Sequence, residues 1–238
     1  MKPFLTAEWR KLILLTYAVD PIVLKPHLPE GLVLDTISGQ AFVSFVAFDF
    51  LNTKVKGLSI PFHINFPEIN LRFYVRHIAE DGSARRGVVF IKELVPKYCI
   101  ALVANKVYNE PYEAIPMTSN TTSDQNQIKI EHHLTYKNRE MTLKCFVDNN
   151  PKMPSADSTE HFFKEHEWGF GVNRKGQLTE YKVEHPHWEV YPLSKEIEST
   201  IRFEVLYGDK WKFLNQQKPY SIVVAEGSAI KVFSGHLV

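Results

Sequence analysis

The chain has 238 residues, 44% hydrophobic and 23% charged, an ordinary globular composition with enough apolar material for a sizeable core. Twenty-eight Lys and Arg against 27 Asp and Glu leave a formal net charge of +1, without the basic excess of a nucleic-acid or membrane-surface protein. Aromatic residues reach 13%, which favours strands and broad apolar pockets over helix bundles.

The first element is the apolar run RKLILLTYAV, residues 10 to 19, which reads as a buried strand. It is too short to span a bilayer, no small-residue cleavage site closes it, and Asp20-Pro21 follow, so a soluble, cytoplasmic chain is expected. Asp20 as N-cap and Pro21 at the first helical position start a helix that Pro26, Pro29 and Gly31 limit to about two turns. GQAFVSFVAFDF, residues 39 to 50, is a second long strand with Phe42, Phe48 and Phe50 on one face.

After a loop containing Gly57 and Pro61, FPEINLRFYV (residues 66 to 75) alternates cleanly. Ile69, Leu71, Phe73 and Val75 lie on one face, and Glu68, Asn70, Arg72 and Tyr74 on the other. EDGS at 80 to 83 is a turn. GVVFIKEL and KYCIALVANKVY read as two further strands around Pro96. Cys99 and Cys145 are too few for a disulfide framework and read as two buried thiols.

The polar tract TSNTTSDQNQ, 118 to 127, reads as an exposed loop. IKIEHHLTY and EMTLKCFVD form a hairpin around KNR, with His132 and His133 on opposite faces. Asp157 and Glu160 suggest a capping box for a short helix, STEHFFKEH. WGFGVN and LTEYKVEH form another hairpin around RKGQ. A strand near 200 to 207, a helical turn at Trp211 and a final strand in YSIVVAEGSAIKVFSG complete the chain. Connections between strands are mostly too short for parallel crossovers, so a largely antiparallel sheet is expected. No internal repeat interrupts it, and residues 1–238 read as one domain.

Several of these stretches resemble the bacterial YqjF-like family, whose function is unknown. EWRKLILLTYAVD, HLPEGLVLDTISGQAFVSFVAFDF, FPEINLRFYV, GVVFI, NEPYEAIPM and HFFKEHEWGFGVNRKGQLTEYKVEHPHW occur in that order over nearly the whole chain. FPEINLRFYV and HPHW are the most specific pieces. That family is similar in fold to acetoacetate decarboxylase. The resemblance implies a mainly β, α+β architecture: a curved, largely antiparallel sheet closed into a cone-like barrel with a few short helices.

The same resemblance exposes a departure. Acetoacetate decarboxylase forms a Schiff base through a lysine that follows a proline and precedes a second lysine, whose charge depresses the nucleophile's pKa. In the corresponding stretch, NEPYEAIPM, Tyr112 and Glu113 follow the proline, and neither can make an imine. The resemblance therefore implies a pocket at this position without its reactive amine.

Six residues are candidates for a ligand site: Asn70, Arg72, Tyr74, Tyr112, Glu113 and His185. An interior Arg72 needs an acceptor, with Glu113 across the barrel the first candidate, whereas an outward Arg72 would simply be solvated. Tyr112 and Glu113 could supply a donor and a base, or Tyr112 could plug the barrel mouth as an amphipathic aromatic. His185 and His187, two apart in HPHW, could chelate zinc only if a third ligand converged. His161 and His166, five apart on a helix, face away from each other. No CxxC or HExxH accompanies them, and HPHW is expected to be structural. No phosphate loop, nucleotide fingerprint or GxSxG elbow is present.

The functional expectation is a small-molecule-binding barrel with an apolar, aromatic cavity. It would be either an enzyme on a small carboxylate or carbonyl compound or a non-catalytic carrier or sensor. A third alternative is a structural barrel filled by its own side chains. The ligand is expected to be anionic, with no metal, no cofactor, no nucleic-acid partner and no membrane partner. Oligomeric state is not fixed by the sequence.

Overall fold

A computed structural model describes residues 2–79, 82–107 and 109–238. The strands in chain order are β1 (Leu5–Val19), β2 (Leu32–Leu34), β3 (Ala41–Val55), β4 (Phe66–Ile78), β5 (Ala84–Val95), β6 (Tyr112–Ala114) and β7 (Met117–Ser123). They continue with β8 (Gln127–Tyr136), β9 (Arg139–Asp148), β10 (Trp168–Val172), β11 (Leu178–Glu184), β12 (Glu198–Ser199), β13 (Ser221–Val232) and β14 (His236–Leu237). Four short helices punctuate them: α1 (Pro21–Leu24), α2 (Tyr98–Val107), α3 (Thr159–Lys164) and α4 (Phe203–Tyr207). No helix among the described residues is long and apolar enough to cross a membrane.

The main sheet runs β2-β4-β3-β1-β13-β11-β10-β5-β6, and β4 also pairs with β5. That extra pairing closes β4, β3, β1, β13, β11, β10 and β5 into a ring. Closure needs Gly87. Trp168 of β10 pairs with it in parallel, and a Cβ on residue 87 would lie 2.3 Å from the Trp168 carbonyl oxygen. The second sheet, β12-β9-β8-β7, packs against the outside of the ring.

Both faces of the ring strands are committed. Ile69, Leu71, Phe73 and Val75 of β4 point outward into a core shared with Ile130, Leu143 and Cys145 of the second sheet and with Phe203, Leu206 and Trp211. Phe48, Phe50 and Phe66 pack inward with Leu12, Val46 and Val183. The alternation of β4 therefore separates two buried environments rather than oil from water. At the N-terminal end, Asp20 caps α1 through Ile22 N at 2.9 Å, with Pro21 at the first position. The β8–β9 hairpin turns at Lys137 and Asn138, whose positive φ angles of 49° and 59° fit a type I′ turn.

Several local expectations are corrected. Residues 98–107 form helix α2, not a strand. β5 and β6 pair in parallel, so the chain must cross over between them, and α2 is that crossover. Cys99, in the first turn of this helix, is exposed rather than buried, while Cys145 is buried as expected. Residues 117–123 form β7, an edge strand that is mostly exposed apart from Met117 and Ser119, which donates to Asp49, so polarity there marks an edge rather than a loop. Near residue 200 only Glu198–Ser199 pairs as strand. Phe203, Leu206 and Tyr207 bury one face of α4, a helical spacing. Ser158, not Asp157, caps α3 by accepting from His161 N. In the turn at 80 to 83, Glu80 and Asp81 lie outside the described residues, and Ala79 N donates to Ser83 O.

Candidate functional site

The ring encloses a cavity of about 310 Å³, to which every one of its seven strands contributes lining residues. Most of the wall is apolar: Leu12, Val46, Phe48, Phe50, Phe66, Phe90, Val183 and Val232 among others. Cys99, Ile100, Val103 and Ala104 of α2 line one side. An interior filled solid by side chains is therefore excluded.

One end is polar, and strand register explains how it is assembled. Asn70 of β4 lies opposite Glu93 of β5, and Glu93 opposite Tyr112 of β6, so three polar side chains sit abreast. The alternation of β4 adds Glu68 and Arg72 to the same wall. The β4–β5 ladder shifts register between Leu71 and Arg72, leaving Ile91 of β5 as the extra residue of a bulge beside Arg72. Helix α2 fixes Tyr112 from behind: Asn105 accepts from Tyr112 N and donates to Tyr112 O, both at 3.0 Å. Glu110 and Tyr181 complete the group.

Three carboxyl groups meet here, at 3% (Glu68), 2% (Glu93) and 8% (Glu110) exposure. Glu68 accepts from Asn70 Nδ2 and from the Tyr112 hydroxyl, each at 3.1 Å. The Tyr181 hydroxyl donates to Glu110 at 2.6 Å. Burial pushes Glu68 and Glu110 up to about 7. Glu93 is raised well above the usual carboxylate range, by burial first and then by the charges of Glu110 and Glu68. Its interaction with Glu110 raises Glu93 further and lowers Glu110. Burial also raises Tyr112, and the three carboxylates raise it further. Near neutral pH this cluster both stores and accepts protons.

Arg72 lines the cavity but has no carboxylate partner among the described ion pairs. Its Nη2 donates to the Phe163 carbonyl of α3 at 3.3 Å, and its buried Nε has no hydrogen-bond partner. Its charge nonetheless lowers the Glu68 pKa. His166, also on the cavity wall, sits 3.4 Å from Asp35 Oδ2, and burial holds it neutral with a pKa of about 4.

Of the six sequence candidates, Asn70, Arg72 and Tyr112 converge on the cavity; Tyr74, Glu113 and His185 do not line it. Tyr74 is buried beside α3, bonded to Ser44 and donating to the Phe163 carbonyl at 3.4 Å. Glu113 is not the partner of Arg72. Adjacent strand residues face opposite ways, so Glu113 turns from the Tyr112 side and pairs with Lys92 at 2.9 Å and Tyr136 at 2.7 Å. His185 stacks on Trp188, ring centroids 4.2 Å apart. Glu93, Glu110, Tyr181 and His166 were missed by sequence reasoning. The one available signal was a carboxylate, Glu93, inside the apolar run GVVFIKELV.

No lysine lines the cavity among the described residues. Lys106 borders a neighbouring pocket that shares Glu110 and Tyr181 with it.

Residues 6–229 match the family DUF2071, described as an uncharacterized conserved protein. The chain is 30% identical over 117 residues to the uncharacterized protein YqjF of Bacillus subtilis (strain 168), a match covering 49% of this chain and 46% of that protein, so about half the relative's length. In fold it is similar to acetoacetate decarboxylase from Legionella pneumophila, with a TM-score of 0.65, 13% identity and coverage of 100% of this chain and 88% of that one. An acetoacetate decarboxylase-like enzyme from Sphingomonas wittichii RW1 gives a TM-score of 0.66 at 13% identity, covering 100% and 94%. The enduracididine biosynthesis enzyme MppR complexed with pyruvate gives 0.64 at 14% identity, covering 100% and 91%. The fold is therefore that of acetoacetate decarboxylase.

Proposed function

The chain belongs to the DUF2071 family, and we propose that it binds a small, largely apolar oxo acid inside its ring of strands and moves protons on it without forming an imine. One observation carries the reading. At the polar end of an apolar cavity, three buried carboxyl groups stand beside a guanidinium whose Nε has no partner. A half-buried guanidinium with no carboxylate ion pair among the described residues, its buried Nε free beside empty space, is suited to receive an anion.

In this reading Arg72 and Asn70 hold the substrate carboxylate. Ionised Glu68 takes a proton from the carbon beside the carbonyl, and protonated Glu93 gives one to the carbonyl oxygen. The carbon–hydrogen bond electrons become the carbon–carbon double bond of an enol. Tyr112 steadies Glu68 by its hydrogen bond, and the raised carboxyl pKa values match donor and acceptor to neutral pH. MppR, which shares the fold, is known with pyruvate, a molecule of this chemical class. No lysine reaches the cavity among the described residues, so the substrate stays unattached.

The test is calorimetric titration with pyruvate and acetoacetate, paired with proton NMR in deuterated water. Both acids should bind, and Arg72→Met should weaken binding at least about tenfold while circular dichroism stays unchanged. Glu68→Gln should bind but no longer exchange the protons next to the carbonyl. Absence of binding, or equal binding by Arg72→Met, would overturn the proposal. Binding without any exchange would leave a carrier rather than a catalyst.

A further inference from the structure

None of the residues of HPHW lines the cavity. We propose that His161, Glu165 and His187 form a binding site for a divalent transition-metal ion, separate from the cavity, which none of the three lines. One ligand atom from each of them lies within 4.8 Å of the other two. His161 lies in α3, and Glu165, four residues on, is its C-cap residue. His187 comes from a different part of the chain, behind the conformationally fixed Pro186.

The arrangement holds two ligands and leaves one adjustable. Glu165 is 12% exposed at its side chain, and its Oε1 is engaged by the buried ammonium of Lys164. That leaves Oε2 directed at His187 Nδ1, 3.4 Å away. The His161 and His187 rings lie nearly parallel, 14° apart with centroids at 5.2 Å. Tetrahedral zinc with bonds of about 2.0–2.1 Å requires ligand atoms roughly 3.3 Å apart, so the trio must close by about 1.5 Å at most. His187, 65% exposed, is free to rotate inward by that amount. Two imidazoles and one carboxylate favour zinc or cobalt(II) over magnesium or calcium, and solvent supplies the remaining position. The Lys164 charge opposes the cation and keeps the affinity below that of a closed structural zinc site. The ion would tie the HPHW loop to α3, whose Phe163 carbonyl receives Arg72.

The 238-residue chain, freed of metal by chelation, is titrated with zinc by calorimetry and with cobalt(II) by visible absorption. One ion per chain is expected, with a tetrahedral cobalt spectrum lacking the thiolate charge-transfer band that exposed Cys99 would give. His161→Ala and His187→Ala should each weaken zinc binding at least about tenfold, while His185→Gln and His236→Ala stay within about twofold. Circular dichroism confirms that each variant is folded, and a second histidine variant, His187→Gln, covers the case in which one fails. No saturable binding, binding indifferent to His161 and His187, or loss in His185→Gln would overturn the site.

Discussion

Replacing Glu110 with Gln tests whether the carboxyl cluster is as dry as its geometry requires. The substitution keeps a side-chain oxygen to accept from Tyr181 but removes a group whose pKa rises from 4.5 to about 7 on folding. Such a rise corresponds to about 3 kcal/mol between the two protonation states, as an order of magnitude. The folded pKa lies above the unfolded one. Between pH 4.5 and about 7 the native protein therefore keeps a proton that the unfolded chain has released, and its stability falls as pH rises through that window. Glu110→Gln lacks this proton. It also removes a charge that raises Glu68 and Glu93, so the remaining two carboxyls titrate lower. His132 and His166, each lowered to about 4 by burial, work in the opposite direction: stability is lost as pH falls from 6.5 towards 4. Neither histidine's pKa has Glu110 among its causes, so the readout is the difference between variant and wild type. Urea unfolding at pH values from about 5 to 8 should show the variant gaining about 3 kcal/mol relative to wild type across the window. Parallel curves would refute the reasoning and mean that water reaches the carboxyls.

Gly87→Ala should destabilise the protein by about 2 kcal/mol or more in urea, because the new methyl meets the Trp168 carbonyl oxygen at 2.3 Å where the ring closes. A neutral result would mean that the β5–β10 junction yields easily. Tyr112→Phe removes the hydrogen bond that lowers the Glu68 pKa, so Glu68 should titrate higher in carboxyl-labelled NMR; an unchanged or lower midpoint contradicts the contact. Borohydride treatment with acetoacetate should leave the protein mass unchanged, since no lysine lines the cavity among the described residues; an adduct on Lys106, in the adjacent pocket, would contradict it.

A continuous apolar run made β1 legible, as befits a strand buried on both faces, and two-residue periodicity made β3, β4 and the two hairpins legible. α2 and α4 were not legible: each is short and apolar, and periodicity alone does not separate a short buried helix from a strand. β7 was hidden for the opposite reason. As an edge strand with polar side chains, it carries no alternation to read. In the site, the face of Asn70 and Arg72 followed from the pleat, and Tyr112 from the resemblance. Glu93 and Glu110 did not, because they meet only through the parallel β5–β6 pairing and the crossover that α2 makes. Tyr181 arrives from yet another strand. Glu113 illustrates the limit: a one-residue difference along a strand reverses the face, and the sequence did not say which of Tyr112 and Glu113 pointed inward.

A crystal structure grown with pyruvate tests the reading most directly. The ligand should lie inside the ring, its carboxylate against Arg72 and Asn70 and its carbonyl oxygen within hydrogen-bonding distance of Glu93. Pyruvate bound only outside the ring, or an interior closed by rearranged side chains around Arg72, would contradict it.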